Sequence, residues 1–110
     1  MDIAKTKYKR CDVVKTSGRV SSLTASELEE AFGVILEGKK YGIVFDMSEI
    51  EFISSRGLWV LLETQKTCKK SRGELVLANV PENIQGTFDL AGMKHFFTFY
   101  DDVLSAVGNF

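Results

Sequence analysis

The chain has 110 residues, 45% of them hydrophobic and 26% charged, and its 14 basic and 15 acidic residues leave a net charge of -1. This length suits a single continuous core, so we expect residues 1–110 to form one domain. A charge so close to neutral gives no global field that would favour nucleic acid or an anionic membrane.

The lengths of the apolar runs and the spacing of the cysteines indicate the cellular location of the protein and the state of its thiols. No apolar run approaches the roughly 20 residues that span a bilayer, and the segment Met1–Lys5 lacks the hydrophobic region of a signal peptide. We therefore expect a cytoplasmic protein without stable membrane insertion. Cys11 and Cys68 form no Cys-x-x-Cys motif or metal-ligand pair, which predicts two free thiols packed against apolar surface.

The first elements are predicted to be two strands between Ile3 and about Val20. Lysines interleave with apolar residues there, as in edge strands whose charges discourage pairing between sheets. The first helix is predicted from about Thr24 to Glu37. Thr24 and Glu27 have the spacing of a capping box, Leu23 and Leu28 that of a hydrophobic staple, and Gly38 is a typical stop.

Tyr41–Phe45 is a continuous apolar run of strand length, which predicts a central strand covered on both faces. A polar loop is predicted after it, and then a second helix from about Ser55 to Ser71. The segment from Gly33 to Lys40 resembles a phosphate-binding loop in spacing only, because it follows a helix and lacks the required hydroxyl residue.

The remaining chain predicts a strand, a short helix, a strand and a last helix. The strand covers Glu74–Ala78, and the helix after Pro81 has Ile84, Phe88 and either Leu90 or Ala91 on its inner face. A final strand is expected over Phe96–Tyr100. Asp101 is expected to cap the last helix, which carries Val103, Leu104 and Val107. Helices that alternate with strands in this way predict an α/β fold.

The two serines at the start of the second helix are the candidate functional residues. A serine in this position usually caps the helix by accepting a backbone hydrogen bond, and only one of the two is needed for that. Trp59 lies one helical turn after Ser55 and outside the apolar seam of the helix. It is either an interface anchor or a residue packed under the neighbouring loop.

This region carries a family resemblance. Asp46-Met47-Ser48, then Ile50-Glu51-Phe52-Ile53, then Ser54-Ser55-Arg56-Gly57-Leu58 resembles the signature loop of STAS domains, in particular bacterial anti-sigma factor antagonists. Phe88–Met93 resembles the helix-to-strand junction of the family. The likeness covers roughly Val13 to Val107 and implies a mixed sheet of four to five strands with about four helices.

The resemblance implies a partner-switching function without enzymatic activity or a cofactor. Ser55 matches the phosphorylated serine of the family, while Ser54 stands where Asp is usual and Arg56 where a small hydroxyl residue is common. The unphosphorylated protein would bind an anti-sigma factor serine kinase and free a sigma factor, and a PP2C-type phosphatase would restore the serine. The residues expected to contact partners are Asp46, Met47, Ser48, Ser54, Arg56, Gly57 and Trp59.

Two other functions are compatible with the sequence. One is a constitutive structural subunit of a lipid transporter or of a stressosome-like scaffold, and the other is a small-ligand-binding module with an apolar pocket near the strand ends. Asp46 and Ser48 are expected to bond the local backbone at least as much as to contact a partner. The single histidine, His95, has no spaced partner, so we expect it to pack rather than to catalyse.

Overall fold

A computed structural model describes residues 1–110 of the chain. It has five strands, four α-helices and one 3-10 turn. In chain order these are β1 (Ile3–Lys7), β2 (Asp12–Val20), α1 (Ala25–Glu37), β3 (Gly42–Ile53), α2 (Ser55–Lys70), β4 (Glu74–Ala78), α3 (Glu82–Leu90), the 3-10 turn (Lys94–Phe96), β5 (Phe99–Tyr100) and α4 (Val103–Gly108). The predicted α/β fold with about four helices is confirmed.

The strands form one mixed sheet in the order β1-β2-β3-β4-β5. β1 is antiparallel to β2, and all other neighbours are parallel. The parallel pairs are joined by helices, as crossover connections require. β3 therefore lies at the centre, and the carboxyl ends of β2, β3 and β4 meet at one edge of the sheet.

Both faces of the sheet are covered. Helices α1, α2 and α3 contribute to the larger apolar cluster, together with Ile43 and Phe45 of β3. Val44, which points to the other face, packs in a smaller cluster with Ala106 of α4. Because the central strand is buried on both sides, its sequence is apolar without alternation, which confirms the prediction for this run.

The start of α1 differs from the prediction. Thr24 has helical dihedral angles and does not cap the helix with its side chain. Its hydroxyl donates instead to the carbonyl of Arg19 at 3.0 Å and accepts from the N–H of Ser21 at 2.8 Å. Leu23 is 86% exposed, so no hydrophobic staple forms. Thr24 of the predicted capping box therefore stabilises the turn that precedes the helix.

The largest difference concerns the predicted loop after Phe45, which is strand. Beyond Asp46, β3 continues to pair with β2 across two irregularities in register, and Gly18 aligns with Ile50 and Val20 with Ile53. The polar residues that indicated a loop are accommodated because the extended ladder is irregular and has exposed positions such as Ser48 and Glu49.

The C-terminal third contains smaller corrections. Leu90 is 93% exposed and Ala91 is exposed too, so the inner face of α3 consists of Ile84 and Phe88. Asp102 rather than Asp101 caps α4, where its carboxylate accepts from the Ser105 N–H at 2.7 Å. The last strand is shorter than predicted because Phe96 ends the 3-10 turn and Phe97 and Thr98 connect that turn to β5. No helix in the structure combines the length and the apolar character needed to cross a membrane.

Candidate functional site

Ser54 caps α2 and joins it to the sheet. Its backbone is extended, and its hydroxyl accepts from the N–H of Gly57 at 3.1 Å. Its own N–H donates to the carbonyl of Val20 at 2.8 Å, which fixes the start of the helix against the end of β2. The expectation that one of the two serines caps the helix is confirmed, and that serine is Ser54.

Ser55 is the first residue of α2 and is exposed to solvent. Its hydroxyl makes no hydrogen bond within the protein, because the capping bond is made by Ser54. The unpaired N–H groups of the first helical turn lie beside it and carry the positive end of the helix dipole. The site therefore offers a free hydroxyl in surroundings that favour an added anion.

Gly57 is needed for the close packing of this helix start. A β-carbon at this position would lie 2.7 Å from Cγ1 of Ile53 and 2.9 Å from Cγ1 of Val20. Only a residue without a side chain allows α2 to approach the ends of β2 and β3 so closely. Gly57 is buried, so its predicted place among the partner contacts is corrected to a packing position below the surface.

The Asp46-Met47-Ser48 segment is mostly internal. Asp46 is 7% exposed, and one of its carboxylate oxygens accepts from the Ser48 N–H at 3.0 Å and from Nδ2 of Asn79 at 3.3 Å. Asp46 therefore has the local structural role expected of a short polar side chain in this position. Met47 is fully buried in the larger cluster, so the prediction that it lines the rim of the site is wrong. Ser48 is exposed.

Cationic and aromatic side chains surround Ser55. Trp59 is 50% exposed, and the guanidinium of Arg56 lies 5.9 Å from the centre of its ring. Arg56 also pairs with Glu29 of α1 at 3.1 Å. The exposed side chains at the start of α2, on the part of α1 that Arg56 contacts and near the adjoining ends of β2 and β3 form what we call the Ser55 surface. It consists of Arg19, Leu23, Glu29, Phe52, Ser55, Arg56 and Trp59. Ser48 lies five residues before the end of β3 and outside this surface.

Sequence reasoning missed several members of the site. Arg19 lies over the ring of Phe52 at 4.3 Å, a contact that depends on the unpredicted extension of β3 along β2. Leu23, which the sequence predicts in a hydrophobic staple, is instead exposed on the turn in which Thr24 bonds the Arg19 carbonyl. Asn79 could have been found, because it follows β4 and parallel strands end at the same edge.

The charges near the site are paired at the surface. Lys15 and Glu49 form a salt bridge of 3.0 Å next to Ser48, and the hydrogen bond that Lys15 donates to the Glu49 carboxylate raises the pKa of Lys15. His95 and Cys68 belong to other parts of the fold. No three His, Cys, Asp or Glu side chains lie close enough together to hold a metal ion.

Comparisons with known proteins agree on one family. A family model described as the STAS domain matches residues 2–106. BtrV of Bordetella bronchiseptica, provisionally named as an anti-sigma factor antagonist, is 30% identical over 80 residues, which are 73% of this chain and 69% of BtrV. The crystal structure of an anti-sigma factor antagonist from Mycobacterium paratuberculosis superposes with a TM-score of 0.87 at 25% identity, covering 98% of this chain and 92% of that one.

A third similarity concerns the fold. SpoIIAA, a Bacillus cell fate determinant whose structure is known in the phosphorylated form, has a TM-score of 0.77 and 14% identity, with 98% of each chain covered.

Proposed function

Because the chain belongs to the STAS domain family, we propose that it is an anti-sigma factor antagonist controlled by phosphorylation of Ser55. In the unphosphorylated state it binds an anti-sigma factor serine kinase through the Ser55 surface and so frees a sigma factor. The kinase supplies the ATP chemistry, and a PP2C-type phosphatase removes the phosphate. This cycle belongs to the cytoplasm and requires no catalysis by the chain itself.

The observation that carries the proposal is that the two serines have different roles: one caps the helix and the other has a free hydroxyl. Ser54 makes the capping bond, so modification of the exposed Ser55 hydroxyl would break no hydrogen bond of the fold. A phosphate there would gain the neighbouring N–H groups of the helix start. Phosphorylation is therefore compatible with the folded state.

A docked partner would respond differently. The phosphate adds a charge of about -1.5 to -2 in the middle of a half-apolar surface. Covering this charge with a partner costs several kcal/mol unless a cation of the partner pairs with it. Since each 1.4 kcal/mol or so is a factor of ten in affinity, one phosphate is enough to release the partner.

Trp59 and Leu23 supply the apolar part of the proposed contact. Both lie largely outside the core, with exposed fractions of 50% and 86%. Exposed tryptophans next to arginines are typical of the residues that dominate interface energies. We expect Trp59→Ala to weaken kinase binding by about 2 kcal/mol, or roughly 30-fold, without loss of thermal stability.

The test uses candidate anti-sigma kinases from the same genome. Incubation with each kinase and ATP, followed by mass spectrometry, is expected to place a phosphate on Ser55. In a binding assay, Ser55→Ala should bind like the wild type and Ser55→Asp at least about tenfold more weakly.

Ser71→Asp is a matched control, because Ser71 is an exposed serine at the opposite end of α2. It should leave kinase binding unchanged. Equal affinities of Ser55→Ala and Ser55→Asp would contradict the proposed switch, as would a phosphate found on any other residue.

A further inference from the structure

A second surface lies at the far end of α2 from Ser55. It is an open groove of about 560 Å³ between the last turns of α2 and the 3-10 turn. Its walls carry Leu62, Lys66, Lys69, Lys70, His95 and Phe96, and we call it the α2 groove. None of these residues belongs to the Ser55 surface.

The floor of the groove is held rigidly by Gln65. This buried side chain accepts from the Leu75 N–H at 2.8 Å and donates to the carbonyls of Leu75 and Phe96, both at 2.9 Å. These bonds join α2, β4 and the 3-10 turn. The position of Phe96 relative to the lysines is therefore set by the fold rather than by a free loop.

An aromatic pair lies open at one side of the groove. Phe96 is 49% exposed, and its ring lies 5.5 Å from that of His95, centre to centre. The neighbouring Phe97, rather than Phe96, packs in the core and is buried. Phe96 thus leaves half of a large apolar side chain in water beside Leu62.

The other side of the groove is positively charged. Lys66 and Lys69 are paired with Glu63 at 3.2 Å and Glu74 at 3.8 Å, but both ammonium-bearing side chains stay more than half exposed. Lys70 forms no salt bridge. Three lysines against two glutamates leave an excess of one positive charge on this side of the groove.

We propose that the α2 groove binds a short acidic segment of a partner protein that carries an apolar side chain. Its carboxylates would pair with the ammonium group of Lys70 and with the exposed ammonium groups of Lys66 and Lys69. Its apolar side chain would cover Phe96 and Leu62. The exposed Phe96 is a suitable anchor, since aromatic side chains are enriched at the centres of interfaces.

The shape and charge of the groove favour this occupant over others. Pockets for small molecules are mostly apolar and bury most of their ligand, whereas here five of the seven lining residues are polar and the lysines are solvated. Nucleic-acid sites are normally much more basic than these three lysines, two of which already pair with glutamates.

Binding at the α2 groove is independent of the state of Ser55. Lys66, the groove lysine nearest to Ser55 along α2, comes eleven residues after it, which is about 16.5 Å at the usual rise per residue. The Debye length at physiological salt is about 8 Å, so a phosphate on Ser55 is screened from the groove. The protein could therefore hold a groove partner through the whole phosphorylation cycle.

The test uses a fluorescein-labelled peptide of sequence Glu-Glu-Leu-Glu-Glu-Phe-Glu-Glu and measures fluorescence anisotropy with the full chain. We expect saturable binding that weakens as salt is raised. Lys70→Glu and Phe96→Ser should each lower the affinity about fivefold or more. Lys7→Glu, which changes an exposed lysine of β1, and Ser55→Asp should leave the affinity unchanged. Thermal unfolding of each variant verifies that it is folded.

Four results of the peptide assay would overturn the proposal. They are absence of binding, binding that ignores both groove variants, equal binding of a peptide with Gln in place of every Glu, and loss of peptide binding in Ser55→Asp. A separate assay uses vesicles containing about one third anionic lipid. Sedimentation of the wild type with these vesicles, but not of Lys70→Glu, would assign the groove to a membrane surface and would equally overturn it.

Discussion

Two neighbouring serines at the start of α2 have different environments although they have the same chemistry. The hydroxyl of Ser54 is oriented towards the helix and bonds the Gly57 N–H, while that of Ser55 lies in solvent. The difference arises from one dihedral angle, because the residue before the helix is extended and the next is helical. The structural role of Ser54 and the proposed regulatory role of Ser55 can therefore be tested separately by mutation.

Ser54→Ala should destabilise the protein, whereas Ser55→Ala should not. Loss of the capping bond costs about 1 kcal/mol, within a usual range of about 0.5 to 2. An exposed side chain without a hydrogen bond contributes less than about 0.5 kcal/mol. Urea unfolding of the two variants beside the wild type measures both values. A larger loss for Ser55→Ala than for Ser54→Ala would contradict the assignment of the cap.

At the scale of elements, α2 is held at both of its ends by different means. Its start lies so close to β2 and β3 that Gly57 has no room for a side chain. Its last turns are fixed by the three hydrogen bonds of Gln65. The helix is therefore fixed at both ends, with the Ser55 surface at its start and the α2 groove along its last turns.

Gly57→Ala should destabilise the fold by about 1–3 kcal/mol, the usual cost of adding a methyl group to a packed core. The added carbon would lie 2.7 Å from Ile53 and 2.9 Å from Val20, and both contacts are with branched side chains in the interior. The midpoint of urea unfolding measures the loss.

Gly86→Ala is the matched control for Gly57→Ala. Gly86 lies within α3, and a β-carbon there meets nothing within 4 Å. Because alanine favours the helix over glycine, this variant should gain roughly 0.5–1 kcal/mol. A loss of stability in Gly86→Ala equal to that in Gly57→Ala would show that the close approach at Gly57 is not the cause.

At the scale of the whole molecule, one thiol links the packing of α2 to the effect of alkaline pH. Cys68 is fully buried against the sheet. Burial raises the pKa of this thiol from 9.0 to about 11; the nearby Glu74 carboxylate adds to the rise, and Lys69 opposes it. The folded state therefore retains the Cys68 proton at pH values where the unfolded chain has released it.

The contribution of Cys68 to stability should be complete below pH 9 and should be lost between about pH 9 and 11. Over this range the unfolded state releases the proton first, so the free energy of unfolding falls as pH rises. Cys68→Ala removes the group and should flatten this part of the pH profile, although its stability at pH 7 is lower because of the cavity. Identical slopes for both proteins would contradict the prediction.

Local patterns in the chain were sufficient for most of the elements. Hydrophobic periodicity, the glycine after α1 and the paired serines before α2 report on hydrogen bonds between residues close in sequence. For this reason α1, α2 and β4 lie within one or two residues of their predicted bounds. The apolar run of β3 likewise indicated burial on both faces, since every residue of such a strand has to meet a covered surface.

Contacts between distant segments account for the rest. Asp46 to Glu49 look like a loop when taken alone, and they are strand because β2 lies alongside to pair with them. Met47, at an irregularity of that ladder, is buried in the larger apolar cluster, while the turn before α1 leaves Leu23 in water. Which side chains are exposed depends on which segments pack over the others, and this is determined by the packing of the whole chain. A local sequence pattern contains no information about that packing.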